Sequence, residues 1–221
     1  MEVRSGIEVL TTLDERVDPH HSAVIVVDMQ NDYCSPGGAS DRNGRDISAI
    51  ATILPPMCAL LERARALDIP RIYTKYSVGP GNAGLSGPEI LRRGLNFAGV
   101  QATIKGTWGH EIVADLPFDP EADLVIEKRR LSSFVGTDLD LYLRANGLKT
   151  LVVVGVVTQG CVECTARDAA SYDYYVALAS DCVASTTRVD HERGLQSIAT
   201  LLRYPDAVTS SDAILDIWSR S

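Results

Sequence analysis

The stretch Leu151–Ala170, LVVVGVVTQGCVECTARDAA, constrains the rest of the chain more than any other. Its first seven residues are an unbroken apolar run, the pattern of a strand buried on both faces of a parallel sheet. Thr158, Gln159 and Gly160 lead from it into a helical stretch, and Cys161 falls at the junction. A thiol placed there sits over the positive end of the helix dipole, beside N–H groups with no intrahelical partner. That environment predicts a cysteine ionising below its free pKa of about 8.5. The same N–H groups could stabilise an oxyanion formed on a carbonyl under attack.

Five further segments read as strands: Ser22–Asp28, Arg71–Tyr76, Asp123–Lys128, Tyr174–Ala179 and Ala207–Thr209. Between them lie helical patterns at Ile47–Leu67, Leu139–Ala145, Asp190–Leu202 and Ser211–Trp218, with a short helix expected around Pro88–Arg93. Pro55 and Pro56 predict that the first of these helices starts or restarts there, since proline suits a first turn and not an interior. The alternation predicts an α/β fold of three αβα layers, a Rossmann-like six-stranded parallel sheet with helices on both faces. Residues 1–21 read as an N-terminal arm and 22–221 as one domain. Residues 77–110 form a glycine-rich loop of a length usually reserved for a lid or a pocket wall.

Composition narrows the function classes. The 221 residues carry a net charge of −8, and no basic stripe is present to neutralise nucleic-acid phosphates. No apolar run reaches the roughly 18 residues of a membrane span, and the N-terminus lacks the charged start and apolar core of a secretory signal. The five cysteines are odd in number and have no framework spacing, so a reducing cytoplasm is expected.

Asp28, Lys128 and Cys161 each directly follow a buried strand, and in a parallel sheet such ends share one edge, where open α/β sheets bind their ligands. Chemistry gives each residue a role. Cys161 is a nucleophile, Asp28 a base that takes its proton and returns it to a leaving amine, and Lys128 a cation that orients the carboxylate. By spacing alone, three unrelated structural residues would fit as well.

Three segments, AVIVVDMQNDY at Ala23–Tyr33, VIEKRRLSSF at Val125–Phe134 and GVVTQGCVECTARDA at Gly155–Ala169, resemble the isochorismatase-like superfamily of cysteine hydrolases, in that family's order. The superfamily includes nicotinamidases, N-carbamoylsarcosine amidase and ureidoacrylate amidohydrolases. The resemblance implies Asp28, Lys128 and Cys161 as catalytic residues, the backbone N–H groups of Val157 and Cys161 as oxyanion donors, and a cis peptide joining Val156 to Val157. It also implies a homodimer or homotetramer and hydrolysis of a small amide, ureido or carbamoyl compound through a thioester. Tyr33, Tyr76, Trp108, Phe134 and Gln159 are candidate substrate contacts by position, as are Arg129 and Arg130.

Nicotinamidases of the family hold a metal through an Asp and histidines after the second strand. Here that region is YTKYSVGPGNAG, without a histidine, and His20, His21, His110 and His191 lack ligand spacing. No metal and no other cofactor is therefore expected, and nicotinamide becomes a weaker substrate guess. Isochorismatases proper act on a vinyl ether without a nucleophilic cysteine, so Cys161 points to C–N bonds. Two readings compete with hydrolysis. Cys161 and Cys164 form a CxxC at a helix start, as in thiol–disulfide oxidoreductases. A catalytically silent binding protein on the same fold is the other.

Overall fold

The computed structural model describes residues 1–93 and 102–220. Six strands form one parallel sheet: β1 (Ser22–Val27), β2 (Arg71–Tyr76), β3 (Leu124–Lys128), β4 (Thr150–Val156), β5 (Tyr175–Ala184) and β6 (Val208–Thr209), in the order β3-β2-β1-β4-β5-β6. The order reverses between β1 and β4. Chain leaving these two strands diverges to opposite sides, which opens a crevice at their carboxyl ends.

Period-two alternation divides the strand side chains between two cores. Val24, Val26, Val152 and Val154 face helices α1 (Ser48–Ala66) and α6 (Ser211–Trp218), packing on Met57, Leu60, Leu61 and Trp218. Ala23, Ile25, Val27, Leu151 and Val153 face the other way. They pack on α3 (Leu139–Ala145), α4 (Glu163–Ser171) and α5 (Arg188–Leu202) through Leu139, Leu143, Ala166 and Ile198. Burial on both faces is why β1 and β4 read as continuous apolar runs.

Sheet geometry at the crevice depends on Gly155. It pairs with Val27 at φ +118°, and a Cβ on it would lie 2.2 Å from the Val27 carbonyl oxygen. On its other side β4 meets a bulge in β5. Leu178 pairs with Val153 but Val183 with Gly155, so Ala179–Cys182 stand opposite Val154 alone. The bulge extends β5 to Ala184, beyond the expected end at Ala179, and frees the Asp181 carboxylate to take the Ser211 N–H at 2.7 Å and its hydroxyl at 2.6 Å.

Pro55 and Pro56 do not start a helix; α1 runs through them from Ser48. The reason is where they lie. Ala51 and Thr52, whose carbonyls lose their helical donors to the prolines, are exposed, so water can take those bonds. The first 21 residues, expected as an irregular or short-helical arm, hold a helical turn at Leu13–Arg16 closed by a Thr12–Glu15 capping box and, beyond that expectation, an antiparallel hairpin of Glu2–Arg4 and Ile7–Val9. Within residues 77–110, α2 (Gly87–Arg93) stands where a short helix was expected. No helix among the described residues is long and apolar enough to cross a membrane.

Candidate active site

Asp28 is the first residue beyond β1, held at φ +51° in the left-handed region that aspartate tolerates better than most residues. Its backbone N–H bonds to Thr74 on the neighbouring β2, and the Thr74 hydroxyl donates to Asp28 Oδ1 at 2.8 Å. Oδ2 lies 2.8 Å from Nζ of Lys128, the last residue of β3. The carboxylate thus reaches across β2, and both side chains of the pair are fully buried. Nζ also donates to the carbonyls of Arg130 and Leu131 at 2.9 and 2.8 Å. The chain turns back after β3 to offer those carbonyls, so RRL serves the lysine through its backbone.

Cys161 enters from the far side of the crevice. After β4 the Val156–Val157 peptide is cis, and Thr158–Val162 form a wide turn before α4. This brings the Cys161 sulfur close enough to Asp28 and Lys128 for each of them to act on its ionisation. Burial works against the Lys128 charge, but Asp28 and then Cys161 outweigh it and hold its pKa above the ordinary value. At Cys161, burial pushes the thiol up to about 12; Lys128 pulls it down, and Asp28 pushes it up. The expected low-pKa thiolate is therefore corrected. In a buried setting with a carboxylate alongside, the helix start does not decide the ionisation, and the resting sulfur keeps its proton.

Asp28, Val157 and Cys161 line a cavity of about 350 Å³. Of the aromatic candidates, Tyr33 and Tyr76 reach its wall, and so does Gln159. Tyr76 is fixed there by its hydroxyl, which bonds Glu89 at 2.5 Å and the Arg129 carbonyl at 3.0 Å. Trp108 is not on the wall and is 55% exposed. Phe134 is core, stacked on Tyr172 and Tyr174. Arg129 and Arg130 also lie off the wall. Sequence reasoning missed Asn43, Arg45, Arg92 and Thr186, which do line it. Arg92 is clasped by Glu89 at 2.5 and 3.1 Å. Asp32 was also missed. Its buried carboxylate accepts the N–H groups of Ala39 and Thr103, joining the loop after β1 to the loop before β3. The triplet Asn31–Tyr33 entered the sequence reading as part of the segment that resembles the family.

His110 is buried and satisfied, with Nε2 2.6 Å from the Ser77 hydroxyl. Among the described residues no three His, Cys, Asp or Glu side chains cluster as metal ligands.

The isochorismatase domain model matches residues 22–211. The chain belongs to the isochorismatase family of hydrolases. It is 33% identical over 232 residues to a ureidoacrylate amidohydrolase RutB of Methylobacterium radiotolerans, covering 99% of this chain and 89% of that relative. Among solved structures it resembles a cysteine hydrolase from Pseudomonas syringae pv. phaseolicola at TM-score 0.80 and 27% identity, covering 96% of this chain and 98% of the other. It also resembles the N-carbamoylsarcosine amidase of Thermoplasma acidophilum at TM-score 0.68 and 26% identity, covering 87% and 97%. None of these three is an oxidoreductase, and the thiol–disulfide alternative gains no support from them.

Proposed function

We propose that this isochorismatase-family protein is a cysteine-dependent amidohydrolase that cleaves a C–N bond of a small amide, ureido or carbamoyl compound. One observation carries the proposal: a buried Asp28–Lys128 ion pair with the Cys161 thiol against it, at the wall of a cavity sized for a small molecule. The similarity to a ureidoacrylate amidohydrolase and an N-carbamoylsarcosine amidase supports the bond type.

The steps follow from the resting proton on sulfur. As the substrate carbon approaches, Asp28 takes the thiol proton and Sγ bonds to the carbon. The backbone N–H groups of Val157 and Cys161 receive the oxyanion. Lys128 stays charged, holds the carboxylate in place and lowers the energy of the anionic sulfur. The intermediate collapses, the C–N bond breaks, and Asp28 passes its proton to the departing nitrogen. Water then attacks the thioester with Asp28 again as base, the C–S bond breaks, and the thiol recovers its proton. Residues 22–221 act as one catalytic domain behind the 1–21 arm. The five free cysteines suit a reducing cytoplasm, and family resemblance supports a homodimer or homotetramer.

The test is ammonia release by wild type and Cys161→Ser over a panel of primary amides, ureido acids and carbamoyl amino acids. Turnover by wild type that the serine variant loses is expected. Equal turnover by both, or none by either, would overturn the assignment.

A further inference from the structure

The turn that carries Cys161 is braced from behind. Ser185, 2% exposed and just beyond β5, accepts the Thr158 N–H on its Oγ at 3.1 Å and donates its hydroxyl to Gln159 Oε1. A serine hydroxyl has one proton, and a backbone N–H can only donate. The Thr158 N–H takes one lone pair of Oγ, and the hydroxyl proton is given to the amide oxygen of Gln159. Its two Nε2 protons point elsewhere, and Gln159 lines the cavity beside Cys161. From α5, His191 Nδ1 meets the Thr158 hydroxyl at 2.9 Å, and Gly194 lets the helix backbone stand against Thr158 and Gln159. The backbone that carries Gln159 is therefore packed against α5.

We propose that Gln159, oriented by Ser185, is a specificity residue. It presents hydrogen-bond donors and selects substrates that carry an acceptor, a carboxylate or carbonyl oxygen, beside the scissile group. The inference rests on the hydrolase chemistry proposed at Cys161. The other charged wall residues agree in polarity. Arg45 and Arg92 are donors, and the Asp28 carboxylate is occupied by Lys128. In a chain of net charge −8, such a wall suits an acceptor-bearing ligand better than a cationic one.

Three matched ligands test this: a carbamoyl amino acid, its methyl ester, and an analogue with aminomethyl in place of the carboxylate. Steady-state kinetics would be measured on wild type, and calorimetric binding on Cys161→Ser, which does not depend on turnover. The acid and the ester are expected to bind at least about tenfold more tightly than the amine. Equal affinity for acid and ester would place a neutral acceptor at Gln159, and a preference for the acid a carboxylate; both fit. Gln159→Glu, which turns a donor into an acceptor, should raise KM for the acid about 10–100-fold while kcat moves far less, and should erase the preference over the amine. Ser185→Ala frees the amide to turn over and should move KM the same way by a smaller factor, with Ser185→Thr restoring it. Gln159→Leu replaces the glutamate variant if that one fails to fold. An acid-over-amine preference unchanged by these substitutions would overturn the inference while leaving the hydrolase intact. Absent turnover with the binding preference present and lost on Gln159→Glu would instead sink the hydrolase and keep the inference.

Discussion

At the residue scale, the Asp28–Lys128 ion pair is a costly arrangement and so an informative one. Two fully buried charges forfeit hydration, and breaking such a pair by removing one partner costs about 3–5 kcal/mol. Lys128→Met leaves Asp28 buried and alone. It should lower kcat at least about a hundredfold, read by single-turnover kinetics, as well as lowering stability. Asp28→Asn removes both the base and the charge that pushes the thiol up. The resting thiol makes a separate prediction. Thiolate absorbance in wild type should show no Cys161 step between about pH 6 and 9, and the difference from Cys161→Ser should emerge only on approach to pH 12. A step near neutrality would mean the sulfur is activated before substrate arrives. The three residues were legible because position within a buried parallel strand predicts which sheet edge its end occupies. The ionisation of Cys161 was not, because burial is a property of the packed molecule and outweighs the local helix start. Phe134 and Trp108 lie off the cavity wall for a related reason: an aromatic side chain suits a core, a surface or a pocket, and only packing chooses.

At the scale of elements, two close approaches locate the crevice. Gly155→Ala would set a methyl into the Val27 backbone at a φ that L residues avoid, and a loss of more than about 4 kcal/mol is expected in urea unfolding. Gly194→Ala is milder. Its Cβ would meet Gln159 N at 2.9 Å, so α5 or the turn must give way, and kcat should fall more than thermal stability does. Both strands and most helices were readable from apolar runs and periodicity. The continuity of α1 through Pro55-Pro56 was not, since it depends on which side of the helix faces water. Nor was the bulge in β5, because Ser180 and Asp181 interrupt the apolar run and read as the end of the strand. Arg45 comes from a polar loop and Arg92 from the short helix α2, and both resemble ordinary surface until the fold brings them to the cavity.

At the scale of the whole molecule, burial sets the alkaline limit. Cys161 and Cys182 are each pushed up to about 12 by burial, and Cys34 and Tyr73 are raised as well. The folded chain keeps protons that the unfolded chain sheds from about pH 9 upward, so it binds more protons than the unfolded state there. Stability should therefore fall as pH climbs from about 9 toward 12, and urea midpoints taken across that window would show it. The chain ends are tied together: Trp218, fully buried in the last helix, donates to the Val17 carbonyl at 2.7 Å. Trp218→Phe should cost about 1–3 kcal/mol by leaving that carbonyl unpaired.

The reversal of strand order between β1 and β4 has a consequence for synthesis. As the chain leaves the ribosome, β1 and β2 are made early and can pair. The second edge of β1, apolar from Ala23 to Val27, waits for Thr150–Val156. Until then the nascent protein carries an open strand edge of the kind that recruits other chains. Cys161, the proposed nucleophile, is still unmade, so the proposed chemistry arrives only with the segment that closes that edge.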